Sequence, residues 1–196
     1  MAQFLAEQSF TASFTRLEDG TRDEYVRIQD ANIPFHAATA DRVLSYFDYM
    51  LRGTIGTAVD TRTHSLQTAS RALRDGANEE TVVAALLHDI GEPLSPHNHS
   101  EIAAAILRPY VTASTAWVIL HHGIFQSYYY NHHLGKDRNA RDQYRNHPDY
   151  QRTVLFCEQW DQVSFDPKYD TLPLTAFEPL VRRVFSREPW ESNSWS

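Results

Sequence analysis

The segment LLHDIGEPLSPHNHSE, residues 86–101, holds an adjacent His88-Asp89 pair and two further histidines, His97 and His99. Neutral imidazole and carboxylate are the common protein ligands of zinc, iron and manganese. The pair is preceded by an apolar stripe at helical spacing, Val82, Val83, Leu86 and Leu87. That stripe would carry His88 and Asp89 into the interior, where an unpaired polar group is costly and a metal ion would satisfy both. The alternative is a surface helix end with an ion-paired Asp89 and a solvated His88.

The composition is that of an ordinary soluble domain. A chain of 196 residues with 42% hydrophobic residues can bury a sizeable core. Its net charge of −7 argues against a nucleic-acid partner held through phosphates. The single Cys157 allows no internal disulfide, no apolar run approaches the ~20 residues of a membrane span, and the start MAQFLAEQSF does not resemble a signal peptide. We therefore expect a cytoplasmic protein with neither nucleic acid nor membrane as partner.

Helical periodicity dominates the sequence, and no segment alternates like a half-buried strand. The predicted helices cover residues 23–30, 41–52, 63–75, 79–89, 99–107, 113–122, 149–163 and 175–185. Asn78 is predicted to cap one of them, the tetrad 98–101 to form a capping box, and Gly123 to stop another. The sequence predicts an all-α, single-domain bundle: an N-terminal arm and helix over residues 1–40, packed on a catalytic domain over residues 41–190.

Further histidines and aspartates recur near the ends of these helices. The candidate ligands are His64, His88, Asp89, His99, His122 and Asp161, with His97 competing with His99 and His121 with His122. One metal ion takes at most three or four of them, so six ligands suit two ions that share a carboxylate. Asp89, at the centre of the series, is the natural bridge.

The order His…His-Asp…His…His…Asp resembles the HD-domain superfamily of metal-dependent enzymes, over about half of the chain. The resemblance implies an HD-type bundle with a dinuclear metal site at its centre, because mononuclear members lack the third and fourth histidines. HSEIAAAIL resembles the start of the family's corresponding helix, which favours His99. The residues after His122 favour that histidine in the same way. His97 and His121 are then expected to contact the ligands or line the pocket.

Two activities share this ligand set in the superfamily: dinuclear phosphohydrolases and mixed-valent di-iron oxygenases. The stretches LLHDIG and HHGIFQSYYYNHHLGKD resemble the oxygenases, which include myo-inositol oxygenase and organophosphonate-cleaving enzymes. The resemblance implies two iron ions as Fe(II)/Fe(III), with manganese or another divalent metal as the alternative. The partners expected are O2 and a small, polar, metal-chelating substrate that is oxidised or cleaved. The alternative is an HD phosphohydrolase acting on a phosphoester or nucleotide.

Four residues are predicted to contact the substrate: Glu92, Gln126, Lys136 and Arg138. Glu92 and Gln126 stand where the oxygenases resembled carry cationic or neutral donors. A carboxylate there favours a substrate that offers an amine or a hydroxyl to Glu92. Residues 124–141, aromatic and then polar, are predicted to form a wall or lid over the metals.

Overall fold

Helices make up the regular structure in the part of the chain that the computed structural model describes, residues 10–50 and 56–189. The α-helices are α1 (Arg22–Ala37), α2 (Thr39–Asp48), α3 (Thr61–Arg74), α4 (Glu79–Leu87), α5 (His99–Leu107), α6 (Ala113–Gln126), α7 (Tyr150–Phe156) and α8 (Glu178–Phe185). No strand occurs within those ranges, which confirms the predicted all-α fold. No helix among the described residues is long and apolar enough to cross a membrane.

The chain divides into two compact units between Val43 and Leu44, a few residues after the predicted boundary. In the first unit, α1 begins with a capping box in which Thr21 and Glu24 bind each other's backbone N–H. α1 is longer than the predicted helix over residues 23–30 and continues to Ala37. α2 ends at Asp48, and residues 51 and 52 of the helix predicted over residues 41–52 lie outside the described residues.

In the second unit, α4 is the central helix. Its apolar residues from Val82 to Leu87 are at most 1% exposed, and it packs against α3, α6 and α8. A helix that is buried all round delivers its last residues to the interior. Asn78 caps α4 as predicted, its side chain accepting from Thr81 N at 3.0 Å.

Three details of the predicted helices differ from the structure. α5 has the predicted bounds, His99–Leu107, but Asn98 makes no capping hydrogen bond and is the last residue of a 3-10 turn, Pro96–Asn98. α6 does not stop at Gly123 but continues to Gln126, and this glycine lies inside the helix beside Ser100 of α5. α7 ends at Phe156, and the chain continues as a π-helical turn, Cys157–Asp161. Such turns often occur at functional sites, because the extra residue changes the direction of the side chains that follow.

One buried carboxylate joins three elements of the second unit. Glu80, in the first turn of α4, accepts hydrogen bonds from Thr112 and Thr115 hydroxyls at 2.6 Å each and from Arg187 Nη1 at 3.1 Å. Burial opposes ionisation of Glu80, but these donors hold its pKa below the usual 4.5. The carboxylate therefore stabilises the fold in its charged form.

Glu80→Ala should lower the free energy of unfolding by about 2–3 kcal/mol near neutral pH, because it leaves charged and hydroxyl donors unpaired. Since the folded-state pKa of Glu80 is lowered, its contribution is present above the unfolded pKa and is lost as pH falls through the folded pKa. Urea unfolding at about pH 7 and about pH 3 measures this difference. Glu79→Gln, on the exposed side of the same turn, should have little effect. A Glu80→Ala penalty that does not shrink in acid would contradict the prediction.

Candidate metal centre

The six side chains predicted as metal ligands meet in the interior of the second unit. They come from the first turn of α3 (His64), the C-terminal cap of α4 and the next residue (His88 and Asp89), the start of α5 (His99), the middle of α6 (His122) and the π-helical turn (Asp161). Four helices and one irregular turn thus supply the donors, which explains why the ligands are far apart in sequence and close in space.

The backbone orients all four imidazole rings. In each histidine Nδ1 lies 2.7–3.0 Å from a backbone carbonyl oxygen, those of Ser164, Ala85, Pro96 and Ile119. A carbonyl only accepts, so Nδ1 carries the proton, and Nε2 of the neutral ring presents a bare lone pair. A histidine that binds a metal through Nε2 requires this tautomer.

The first half-site consists of His64, His88, Asp161 and one oxygen of Asp89. His64 Nε2 lies 3.1 Å from both His88 Nε2 and Asp161 Oδ1. Asp89 Oδ2 lies 3.5 Å from His64 Nε2 and 3.3 Å from His88 Nε2. The side chains of His64, His88 and Asp161 are at most 3% exposed. This half-site therefore offers four donor atoms in a closed environment.

The second half-site consists of His99, His122 and the other oxygen of Asp89. Asp89 Oδ1 lies 3.3 Å from Nε2 of each histidine, and the two Nε2 atoms are 3.3 Å apart. His99 is 21% and Asp89 14% exposed, whereas His122 is 1% exposed. Asp89 thus faces a different half-site with each oxygen, and the second half-site is the one that solvent reaches.

These distances fit two metal ions. Two donors bound to one ion at ~2.1 Å lie about 3.0 Å apart in an octahedron and about 3.4 Å apart in a tetrahedron. Without a metal ion, one ring of each facing pair would need a proton on Nε2 to donate to the other at 3.1–3.3 Å. Asp161 Oδ2 is also buried and has no hydrogen-bond partner among the described residues. The donor set therefore suits divalent or trivalent cations.

The electrostatics of the cluster favour positive charge. Burial alone would lower the pKa of His88, but Asp89 and Asp161 raise it above its usual value. Burial likewise favours neutral Asp89, but His88 and His122 hold its pKa well below the usual range. Both carboxylates therefore stay ionised, as metal ligands must be.

Two phenylalanines pack against the histidine rings, and sequence reasoning missed both. Phe165 stacks on His64 with ring centroids 4.3 Å apart. Phe156 lies edge-on to His88 at 5.8 Å and to His122 at 6.5 Å. Aromatic residues in apolar helical patterns are usual core residues, so no sequence signal distinguished these two.

Two predicted substrate residues contact ligands. Glu92 Oε2 lies 3.1 Å from His99 Nδ1, which also donates to the Pro96 carbonyl. Gln126 Nε2 donates to Asp161 Oδ1 at 2.8 Å. Carboxylates and amides in such positions orient a ligand and tune its basicity. Glu92 is 20% exposed, so it lies at the same solvent-facing edge as His99.

The other two predicted substrate residues lie in the segment after α6. Lys136 is exposed and Arg138 is partly buried. The guanidinium groups of Arg138 and Arg141 both stack on the ring of Tyr128, at 4.1 and 3.7 Å from its centroid. Sequence reasoning missed Arg141, whose buried Nε and Nη1 have no hydrogen-bond partner among the described residues.

One tyrosine of the predicted lid lies close to the ligands. Burial raises the pKa of Tyr130, and so do the nearby carboxylates of Asp161 and Glu92. Part of the 124–141 segment therefore lies near two carboxylates of the centre, and the wall or lid over the metals stays a prediction.

The two competing histidines lie away from the donor cluster. His97 is exposed in the 3-10 turn before α5. His121 stacks on Trp117 with ring centroids 4.1 Å apart, and burial lowers its pKa. The geometry therefore groups His99 and His122 with the other four residues. Neither His97 nor His121 has a hydrogen bond or ring contact to these six among the described residues, and their place in the pocket lining stays a prediction.

Gly91 fixes where α5 begins. A Cβ at this position would lie 2.6 Å from the His99 carbonyl oxygen and 2.8 Å from Ile102 Cβ. A Cβ on Gly123 would meet only Ser100 Oγ, at 3.2 Å. The turn after Asp89 can therefore lie against the first turn of α5 only if residue 91 is glycine.

Gly91→Ala should push His99 away from the second half-site, lowering stability by about 1–3 kcal/mol and weakening one metal. Thermal unfolding and metal content after gel filtration measure the two effects. Gly123→Ala, at the looser contact with the same helix, should have a smaller effect on both. Unchanged metal content and melting temperature for Gly91→Ala would show that α5 can shift without cost.

Comparison with curated proteins finds no match. Among protein families, the sequence model described as the HD domain matches residues 61–164, which contain all six donor residues. The matched region begins with α3, ends just after Asp161 and covers more than half of the chain. The ligand order, the helical fold and this match lead to one conclusion: the chain belongs to the HD domain family.

Proposed function

We propose that this HD domain protein is a dinuclear metal enzyme, and specifically a di-iron oxygenase. The observation that carries the dinuclear part is the position of Asp89, whose two oxygens approach the Nε2 atoms of different histidine pairs. A mononuclear centre would leave the Nε2 atoms of His99 and His122, 3.3 Å apart, without a metal ion to bind.

The inequivalence of the half-sites supports the oxygenase. The first has four donors from the chain, two of them carboxylate oxygens, and is closed to solvent. The second has three donors and an exposed edge. Extra anionic donors stabilise a more highly charged ion, so the two positions favour different oxidation states. Such a difference would favour a mixed-valent pair with the higher charge localised at the first half-site.

When bound, two iron ions would supply the activation of O2 and the oxidation of a C–H bond. The residues of the chain would hold them, His64, His88 and Asp161 at one and His99 and His122 at the other, with Asp89 between them. Gln126 would orient Asp161, and Glu92 would draw the Nδ1 proton of His99 and raise that ligand's basicity. Tyr130 would limit the access of water from the exposed edge.

The substrate would enter at the edge formed by His99, Asp89 and Glu92, since the other ligands are closed to solvent. A hydroxyl or carboxylate of the substrate would bind the second half-site, which has the fewest donors from the chain. Arg138 and Arg141 form no ion pair among the described residues and would attract an anionic end of the substrate. Glu92 would then accept a hydrogen bond from a substrate hydroxyl or amine at the opposite end.

The same arginines favour the second candidate, an HD phosphohydrolase. Two guanidinium groups without carboxylate partners suit a phosphoester, and a dinuclear centre lowers the pKa of bound water to supply the nucleophile. This activity would use the six ligands in the same way and would not require iron.

The deciding experiment compares the protein loaded anaerobically with Fe(II) against the protein loaded with Mn(II). After partial oxidation, an oxygenase should give the low-field electron paramagnetic resonance signal of a coupled Fe(II)/Fe(III) pair, and O2 consumption with candidate polyols or phosphonates should need iron. Hydrolysis of phosphoesters with Mn(II), without that signal, would replace the oxygenase by the hydrolase. Binding of one ion or none would overturn both.

Glu92→Gln tests the role of the carboxylate beside His99. If Glu92 raises the basicity of His99, the variant should bind the second-half-site metal about 10- to 100-fold more weakly and the first as before. Metal titration followed by calorimetry measures both affinities. Gln126→Glu, beside Asp161, should disturb the first half-site instead. If Glu92→Gln leaves both affinities unchanged but weakens the substrate, Glu92 acts on the substrate alone.

A further inference from the structure

A cavity lies beside Phe156, the residue whose ring packs against His88 and His122. It has a volume of about 250 Å³ and lies between α4, α6, α7 and the π-helical turn. Its walls are mainly apolar, with Ala84, Val118 and Phe156 among the lining residues. An apolar cavity of ~150 Å³ is large enough to bind benzene, so this one can hold a small organic molecule.

One end of the cavity is polar and carries a positive charge. The guanidinium of Arg152 donates to the hydroxyls of Ser114 at 2.6 Å, Thr115 at 2.8 Å and Thr81 at 3.0 Å. Thr81 and Thr115 also line the cavity, so the guanidinium lies at its edge. Arg152 forms no ion pair with a carboxylate in the described part of the chain.

Two carboxylates, those of Glu80 and Asp149, are separated from the Arg152 guanidinium by one hydroxyl group each, and both already accept hydrogen bonds. Glu80 accepts from Thr115 and from Arg187, and Asp149 accepts from Ser114. They therefore orient the hydroxyl groups around Arg152 without contacting the guanidinium. A guanidinium has five N–H donors, and three hydrogen bonds to hydroxyls leave donors for an anionic ligand.

The rest of the cavity matches an apolar body. Trp160 is fixed by a hydrogen bond from its Nε1 to Asp75 Oδ2 at 2.7 Å, and its ring forms part of the wall. Leu155 is 40% exposed and also lines the cavity, which places an apolar side chain at its solvent-facing side. The combination of apolar walls and one unpaired cation at the end selects a compact amphipathic anion.

We propose that this cavity binds a small apolar carboxylate, with its carboxylate on Arg152 and its aromatic or aliphatic body between Val118, Phe156 and Trp160. The bound molecule would contact Phe156, whose ring packs against His88 and His122, one donor of each half-site. The cavity is thus one side chain away from the metal centre, and its occupant would influence the positions of these two ligands. The proposal for this cavity does not depend on which reaction the metals support.

Benzoate is the probe, with benzyl alcohol and benzylamine as neutral and cationic molecules of similar size. Calorimetry on the metal-loaded full-length protein should give one benzoate site with a Kd of about 1 mM or tighter. The indole N–H resonance of Trp160, assigned with Trp160→Phe, should shift on titration. Benzyl alcohol should bind at least about tenfold more weakly and benzylamine not at all.

Two substitutions distinguish benzoate binding in this cavity from binding at the metals, which could also bind a carboxylate. Arg152→Met should weaken benzoate at least about tenfold and leave benzyl alcohol unchanged. Arg145→Met, which removes the same charge from an exposed position, is the matched control and should leave benzoate binding intact. Ala84→Leu should fill the cavity and abolish binding of both molecules.

Benzoate binding that survives both Arg152→Met and Ala84→Leu would overturn the proposal, because the molecule would then sit at the metals. An unmoved Trp160 resonance at saturating benzoate would overturn it as well. Circular dichroism and metal content show whether each variant is folded. If Arg152→Met does not fold, Ala84→Leu with the Trp160 resonance still decides the outcome.

Discussion

Asp89→Asn is expected to abolish the binding of both metals. Asp89 Oδ2 lies 3.3 Å from His88 Nε2 in the first half-site, and Oδ1 lies 3.3 Å from His99 Nε2 in the second. The amide keeps the shape of the side chain but removes the charge that both ions would share, and its NH2 group would point a donor at one of them. We expect each affinity to fall at least about 100-fold, because the change acts on a ligand rather than on its support.

Metal content by inductively coupled plasma mass spectrometry, before and after dialysis against a weak chelator, measures the loss. Asp75→Asn is a suitable control, since Asp75 is a carboxylate of the same unit that binds Trp160 and lies outside the donor cluster. Two metals retained in Asp89→Asn would remove the bridge from the assignment. Loss of one metal would mean that Asp89 serves a single half-site.

The central ligand pair could be predicted from the sequence because it lies at the end of a predicted helix. His88 and Asp89 come directly after the buried apolar run over residues 82–87, so their placement in the interior follows from local sequence. The capping residue Asn78 marks the start of that helix equally well. The all-α fold followed from the absence of alternating strands. Metal binding itself remains a prediction, which the proximity of the donors supports.

Contacts between distant segments could not be predicted. Gly123 has the sequence pattern of a helix stop, yet it lies inside α6, where an added Cβ would meet Ser100 Oγ of α5 at 3.2 Å. The π-helical turn that presents Asp161 has no sequence signature, since one extra residue in a turn leaves the apolar pattern almost unchanged. Neither feature follows from the local pattern of apolar residues.

The substrate residues illustrate the same limit. Glu92 and Gln126 were selected because they differ from the oxygenases resembled, and each contacts a proposed ligand in the structure. Their partners, His99 and Asp161, lie seven and thirty-five residues away in the sequence. When only its position in the sequence is known, a carboxylate near the predicted metal site is interpreted as a substrate contact. Its proximity to His99 Nδ1 gives it an additional role in orienting a ligand.

His99→Ala is expected to remove one metal and leave the other. The first half-site keeps its four donors, whereas the second is left with His122 and one oxygen of Asp89. Two donors from the chain do not hold a divalent ion against solvent, and this half-site already faces solvent. The protein should therefore bind about one metal per chain and lose all activity that needs both.

The matched control is His97→Ala, two residues earlier, which removes an exposed imidazole from the same turn. This variant should bind two metals and keep its activity. If His97→Ala loses a metal while His99→Ala does not, the choice between the two histidines is wrong.

A chelator added to the unmodified protein should remove the second-half-site metal first, because its donors are fewer and more exposed than the four buried donors of the first. Simultaneous loss of both metals would instead mean that the two ions bind as a single cooperative unit held by Asp89.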